Sequence, residues 1–139
     1  MNDTHDTNDT HGLLLFAHGA RDPAWARPFQ TIADHMCRES PGRPVVLAFL
    51  ELMTPNLAAG VAELVEQGCT SVTVVPLFLG AGGHVRRDLP LLLEAARAQF
   101  PAVAIDCTAA IGELDAVTLA IARAALTLTS PPPPSAPSP

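Results

Sequence analysis

Basic stretches, aromatic side chains and paired cysteines are all scarce in this 139-residue chain. Lys and Arg together number 8 against 14 Asp and Glu, and the net charge is −6 with no run that concentrates positive charge. Nucleic-acid binding depends on clustered cations, so that class of partner is excluded. Aromatic residues make up 4% of the chain and tyrosine is absent, which leaves no stacking platform for bases. Cys37, Cys69 and Cys107 are odd in number and widely spaced, without a CxxC pair. They support neither a disulfide framework nor a zinc ribbon and read as reduced core thiols. No apolar run approaches the roughly 20 residues that a membrane crossing needs. The start Met1-Asn2-Asp3-Thr4-His5-Asp6 lacks the basic opening of a signal peptide, so a cytoplasmic location and no membrane partner are expected.

What is present is a hydrophobic content of 48%, enough for one domain with a real core at this length. Residues 1–11, with Asp3, Asp6 and Asp9, form a polar leader poor in apolar residues and are expected to be disordered. Residues 129–139 are dominated by proline and are expected to be an extended, solvated tail, since proline lacks the N–H and restricts φ. Residues 12–128 are left as the folded domain.

Within it, four short apolar runs (residues 13–17, 45–50, 72–75 and 103–107) alternate with four segments of helical period. Alternation of this kind implies parallel strands joined by helical crossovers. Asp22 and Pro23 announce the first helix, with Trp25, Phe29, Ile32, Ala33 and Met36 on one face and a kink expected at Pro28. Leu57, Val61, Leu64 and Val65 mark a second helix that Gly68 stops, and Val85, Leu89, Leu92, Leu93, Ala96 and Phe100 mark a third. The fourth spans residues 113–128 and is expected to turn Leu114, Val117, Ile121, Ala124 and Leu128 inward. The fold class is therefore α/β, a single doubly wound domain with a four-stranded parallel sheet in order 2-1-3-4 and helices on both faces. Pro76 closes the third strand, where the ladder can do without its N–H.

That order makes the first and third strands neighbours, and ligands of open α/β sheets bind beyond the carboxyl ends where the winding reverses. His18 follows the first strand in Phe16-Ala17-His18-Gly19. His84 follows the third in Gly80-Ala81-Gly82-Gly83-His84, so two imidazoles 66 positions apart fall at one crevice. Convergent titratable groups of this type outline a metal or proton-transfer site. Glu51 ends the neighbouring second strand and is read as a third, oxygen ligand, a proton acceptor at the rim, or a paired structural carboxylate. His5 and His11 are placed in or beside the leader and expected to be solvated, and His35 lies within the first helix at no metal spacing. The order G-x-G-G-H lacks both the dinucleotide fingerprint and the phosphate-loop lysine, so no nucleotide is expected. Ala17 stands where a histidine phosphatase needs Arg, and no Ser or Cys lies in a nucleophile turn.

Three ordered motifs carry a resemblance: His18-Gly19-Ala20-Arg21-Asp22-Pro23; Phe49-Leu50-Glu51-Leu52 with Pro55; and Pro76-Leu77-Phe78-Leu79 leading to Gly83-His84 and Asp88-Leu89-Pro90. Together they resemble the small sirohydrochlorin cobaltochelatases of the CbiX type, among the class II tetrapyrrole chelatases, from about Leu13 to about Leu128. The chain departs at Ala20, where that family usually has Ser, and so lacks one hydroxyl for a substrate contact or a loop hydrogen bond. The resemblance implies a chelatase-like fold and insertion of a divalent metal into sirohydrochlorin without ATP, for cobalamin or sirohaem synthesis.

Such insertion strips water from the ion and removes two pyrrole protons, which calls for exchangeable ligands and a base with pKa near 7; imidazole supplies both. His18 and His84 are the metal ligands on this reading, and they share the catalytic role with Glu51. Two histidines and a carboxylate leave open positions that suit Co²⁺, Ni²⁺ and Fe²⁺ alike, and only the resemblance puts cobalt first. Arg21, Arg86 and Arg87 flank the histidines and are read either as clamps for the substrate's carboxylates, with Gly82 and Gly83 beside them on the substrate side, or as solvated loop charges partly neutralised by Asp22 and Asp88. The resemblance also implies a homodimer, because relatives with two such domains are fused in one chain and this chain holds one. A non-catalytic metal or tetrapyrrole carrier using the same cleft is the alternative, as is a ferro- or nickel-chelatase.

Overall fold

Strand β1 (Thr10–Ala17) buries Leu14 and Phe16 on one side and Leu15 and Ala17 on the other, so the sheet is covered on both faces at this strand. Strands β2 (Val45–Phe49) and β3 (Cys69–Pro76) flank it in parallel, and β4 (Ala104–Cys107) extends the sheet beyond β3. The order β2-β1-β3-β4 is the expected one. The computed structural model describes residues 9–80 and 82–131. Most of the expected leader, His5 included, and the tail beyond Pro131 lie outside the described residues.

Strand β1 starts three residues earlier than its apolar pattern. Thr10 and His11, assigned by sequence to the leader, are strand residues. His11 is not solvated: half-buried, it hydrogen-bonds Ser71 Oγ through Nδ1 at 2.6 Å and Thr73 Oγ1 through Nε2 at 2.8 Å. Two hydroxyls on the neighbouring strand satisfy the ring, a pairing that only the β1–β3 register creates.

Asp22 caps the entry to the first helix by accepting the Ala24 N–H at 2.9 Å, and Pro23–Ala26 form a 3₁₀ turn. Helix α1 (Arg27–Glu39) follows, with Pro28 in its first turn. Its missing N–H has no intrahelical partner there, so the expected kink is replaced by a fresh helix start. Asn56 caps α2 (Leu57–Glu66), which ends just before Gly68, and α3 (Gly83–Gln99) precedes β4.

Leu57, Val61 and Leu64 of α2 and Val85, Leu93 and Ala96 of α3 pack on Leu14, Phe16, Val46, Ala48, Val72, Val74 and Ile105 to make the main core. Each fully buried Leu or Val contributes about 1.5–3 kcal/mol. No polar side chain is buried among the described residues. On the opposite face Trp25 and Phe29 pack with Ala17, Ala26 and Phe49 in a smaller cluster on the α1 side.

Two sequence expectations fail on this second face. Helix α4 (Asp115–Thr129) buries none of its residues. Of the five side chains expected inward only Val117 is half-covered, while Leu114, Ile121 and Leu128 are 54%, 44% and 86% exposed and Ala124 is exposed too. A helical period specifies an apolar stripe but not what that stripe meets. The chain leaves edge strand β4 through a short 3₁₀ turn (Ile111–Glu113), and the main contact of α4 is with that turn. Of the cysteines, Cys69 is buried and Cys107 half-buried, but Cys37 lies exposed on α1 and is no core thiol. Burial pushes the Cys107 thiol up, opposed in part by the Arg97 charge, and burial alone does the same at Cys69.

Candidate metal centre

The β1–β2 pairing continues past the ends of both strands. Leu50 N–H donates to Ala17 O at 2.9 Å and Glu51 N–H to His18 O at 3.1 Å. The two loops lie this close because residue 19 is glycine with φ +95°. A Cβ there would sit 1.9 Å from the Glu51 carbonyl oxygen. The His-Gly pair is thus one device: the glycine admits the β2 loop, and the admitted loop brings its carboxylate to the histidine. His18 Nε2 and Glu51 Oε2 are 3.1 Å apart, with the side chains 43% and 47% exposed.

That spacing suits a shared ion. Two ligands each about 2.1 Å from one metal and roughly 90–110° apart lie roughly 3.0–3.4 Å from each other. Both groups reach solvent, so an ion can arrive hydrated and exchange its waters at the open positions.

His84 stands at the start of α3, where its Nδ1 lies 3.2 Å from Asp88 Oδ2, one helical turn on. A carboxylate beside Nδ1 favours the proton on that nitrogen and leaves Nε2 free for a metal or a proton. His84, Asp88, Leu91 and Leu92 of α3 share a cavity of about 320 Å³ with Leu50 and Glu51. A second cavity, under the loop from Leu50 to Asn56, has Leu50 and Glu51 in common with it. Glu51 therefore touches His18 and lines one cavity with His84, joining the three candidates at the carboxyl ends of β1, β2 and β3. Among the described residues no three potential ligands are gathered within reach of one ion. The assembled element is the His18–Glu51 pair.

The arginines are dispersed. Arg21 and Arg87 are exposed beside their histidines, whereas Arg86 lines a different cavity, between α3 and β4, with Glu94, Arg97 and Cys107. None of the three forms an ion pair among the described residues. Gly82 and Gly83 are exposed at the α3 start with open space around them. His35 is exposed on α1 and accepts from Arg38 Nη2 at 3.0 Å.

Asp88 was read from sequence only as a charge neutralising its neighbours. The His-x-x-x-Asp spacing on a helix was the available signal for its role beside His84. Leu52, 58% exposed with φ +67°, follows Glu51 directly. A left-handed leucine costs about 1–3 kcal/mol, a strain typical of loops that aim functional groups. No sequence pattern marks it.

The CbiX family model matches residues 12–127 of this chain. A sirohydrochlorin cobaltochelatase from Methanothermobacter thermautotrophicus is 33% identical over 82 residues, covering 59% of this chain and 57% of that protein. Another, from Sulfolobus acidocaldarius, is 35% identical over 83 residues, covering 60% and 66%. The chain thus spans less than two thirds of these relatives' length. Among solved structures, the CbiX protein from Marinobacter aquaeolei VT8 superposes with a TM-score of 0.75 at 35% identity, over 85% of this chain and 96% of that one. The sirohydrochlorin chelatase SirB from Bacillus subtilis subspecies spizizenii, in complex with cobalt, superposes with a TM-score of 0.70 at 28% identity, over 86% of this chain and 51% of that one.

Proposed function

This chain belongs to the CbiX family, and we propose that it inserts a divalent metal, cobalt before nickel or ferrous iron, into sirohydrochlorin without ATP. The observation that carries the reading is the 3.1 Å approach of His18 Nε2 to Glu51 Oε2 at the mouth of a cavity that also holds His84. The names of the relatives and the cobalt bound to the Bacillus chelatase support the choice of metal.

Insertion has three requirements. The ion must lose water without being trapped, and a donor set of imidazole and carboxylate with positions left open satisfies this. Two pyrrole N–H protons must leave: on this reading His84 Nε2, with Asp88 beside its Nδ1, accepts one, and the Glu51 carboxylate accepts the other. The macrocycle must lie flat against the mouth, where Leu50, Leu91 and Leu92 offer an apolar wall, with Arg21 and Arg87 outside it for peripheral carboxylates.

The test is anaerobic metallation of sirohydrochlorin followed by absorbance, with Co²⁺, Ni²⁺ and Fe²⁺ in turn. Many metallated products per chain, fastest with Co²⁺, are expected. A ceiling of one product per chain would make the protein a carrier, and no metallation with any ion would overturn the assignment.

A further inference from the structure

Glu51 lines two cavities of different chemistry. The one it shares with His84 has an apolar wall of Leu50, Leu91 and Leu92. The other, of about 590 Å³, lies between the loop from Leu50 to Asn56 and the Ala59 and Glu63 positions of α2. Its lining includes two carboxylates, Glu51 and Glu63, and the Thr54 hydroxyl, with no Lys, Arg or His. Glu63 is exposed and forms no ion pair among the described residues.

A cleft walled by charge of one sign concentrates the opposite ion. With six waters at about 30 Å³ each, a hydrated dication needs roughly 200 Å³, well within this space, and the small side chain of Ala59 leaves the helix side of it clear. A polycarboxylated macrocycle meets like charge there, whereas Arg21 and Arg87 are exposed beside the two histidines. Charge thus sorts the two substrates to different sides of one residue. Shape makes the same division. A flat ring on the leucine wall covers the His84 side of Glu51, so an ion using that mouth would have to arrive before the ring. The loop side stays open to solvent, since Thr54, Ala59 and Glu63 are all exposed. An ion that reaches Glu51 from there is already at the His18 Nε2 partner, 3.1 Å from the carboxylate.

We propose that metal and macrocycle reach the centre through separate openings. The hydrated divalent ion enters between the Leu50–Asn56 loop and α2, drawn by Glu63, and the macrocycle docks on the His84 side, with Glu51 as the wall common to both. This inference rests on the chelatase reading and adds two things to it: a metal-admitting role for Glu63, which touches none of the reacting atoms, and a free order of binding.

Single-turnover insertion of Co²⁺ tests it, with the order of addition varied. The unaltered chain should metallate sirohydrochlorin at the same rate whether the macrocycle is bound first or added last. Ala59→Trp plugs the loop side without removing a charge. It should slow insertion when the macrocycle is bound first, yet leave Co²⁺ binding to the chain alone unchanged, because the His84 side is then open. Glu63→Lys should lower kcat/KM for Co²⁺ about tenfold at low ionic strength, less as salt is added, with KM for sirohydrochlorin unchanged. Both positions are exposed on α2, and circular dichroism should show the fold retained. A macrocycle that blocks Co²⁺ uptake by the unaltered chain when bound first would overturn the separate openings, and so would kcat/KM for Co²⁺ unchanged in both variants. No metallation by the unaltered chain in either order would overturn the chelatase reading and this route with it; metallation that fails these two tests overturns the route alone.

Discussion

Gly19→Ala is the sharpest perturbation of the proposed centre. The added methyl would lie 1.9 Å from the Glu51 carbonyl oxygen. Both atoms belong to backbone, so no side-chain rotation relieves the clash, and the two loops must separate by about 1 Å to restore contact at about 3 Å. Two terms lower stability: about 1–2 kcal/mol for an L-residue at a φ of +95°, and about 1–3 kcal/mol for forcing packed segments apart. Together they give roughly 2–5 kcal/mol, a fall in melting temperature of on the order of 10 °C for a domain of this size. The same displacement takes His18 Nε2 and Glu51 Oε2 from 3.1 Å to roughly 4 Å, too far to share an ion with both bonds near 2.1 Å. Misplacements of this order cost about 100-fold in rate. Differential scanning calorimetry and Co²⁺ insertion kinetics read the two effects separately. A Gly19→Ala protein with unchanged melting temperature and unchanged kcat/KM would refute the argument that this glycine holds the two ligands together.

Three further outcomes are expected. His84→Ala should abolish most insertion and leave the melting temperature nearly unchanged, because the side chain is 59% exposed; Asp88→Ala should weaken Co²⁺ binding about 10–100-fold, with Asn recovering part of it, and equal affinity in all three Asp88 forms by titration calorimetry would deny Asp88 its orienting role. Arg21→Ala and Arg87→Ala should each raise KM for sirohydrochlorin with little change in kcat, whereas Arg86→Ala should do less, since Arg86 faces the α3–β4 cavity; equal effects from all three would show that substrate reaches that side. Cys107, raised above the usual thiol range by burial, should alkylate slowly at neutral pH and faster as the pH climbs and the thiolate forms, a trend that mass spectrometry of iodoacetamide-treated protein follows; a rate already high and flat at neutral pH would contradict it.

The first and third apolar runs, each ending near a histidine, are visible in the sequence because buried parallel strands must be apolar along their whole length. Doubly wound topology then dictates that their ends meet, which is why His18, Glu51 and His84 could be named together. His11 was misjudged because its partners, Ser71 and Thr73, lie 60 and 62 positions away. Nothing local distinguishes a satisfied histidine from a solvated one. Arg86 was grouped with Arg87 because they are adjacent, yet neighbours on a helix point about 100° apart, and the packing of α3 on β4 sends Arg86 to another cavity.

By itself the amino-acid order determined the α/β class, the strand order and the loop ends at which chemistry could occur, since periodicity and chain connectivity are properties of the covalent chain. Only the tertiary structure decided which oxygen meets which nitrogen, that Gly19 is the hinge of that meeting, and that Asp88 lies beside His84 Nδ1. It also decided that α4 buries none of its residues among the described part of the chain. An apolar stripe records that a surface must be covered; what covers it depends on distances between segments that the sequence does not contain.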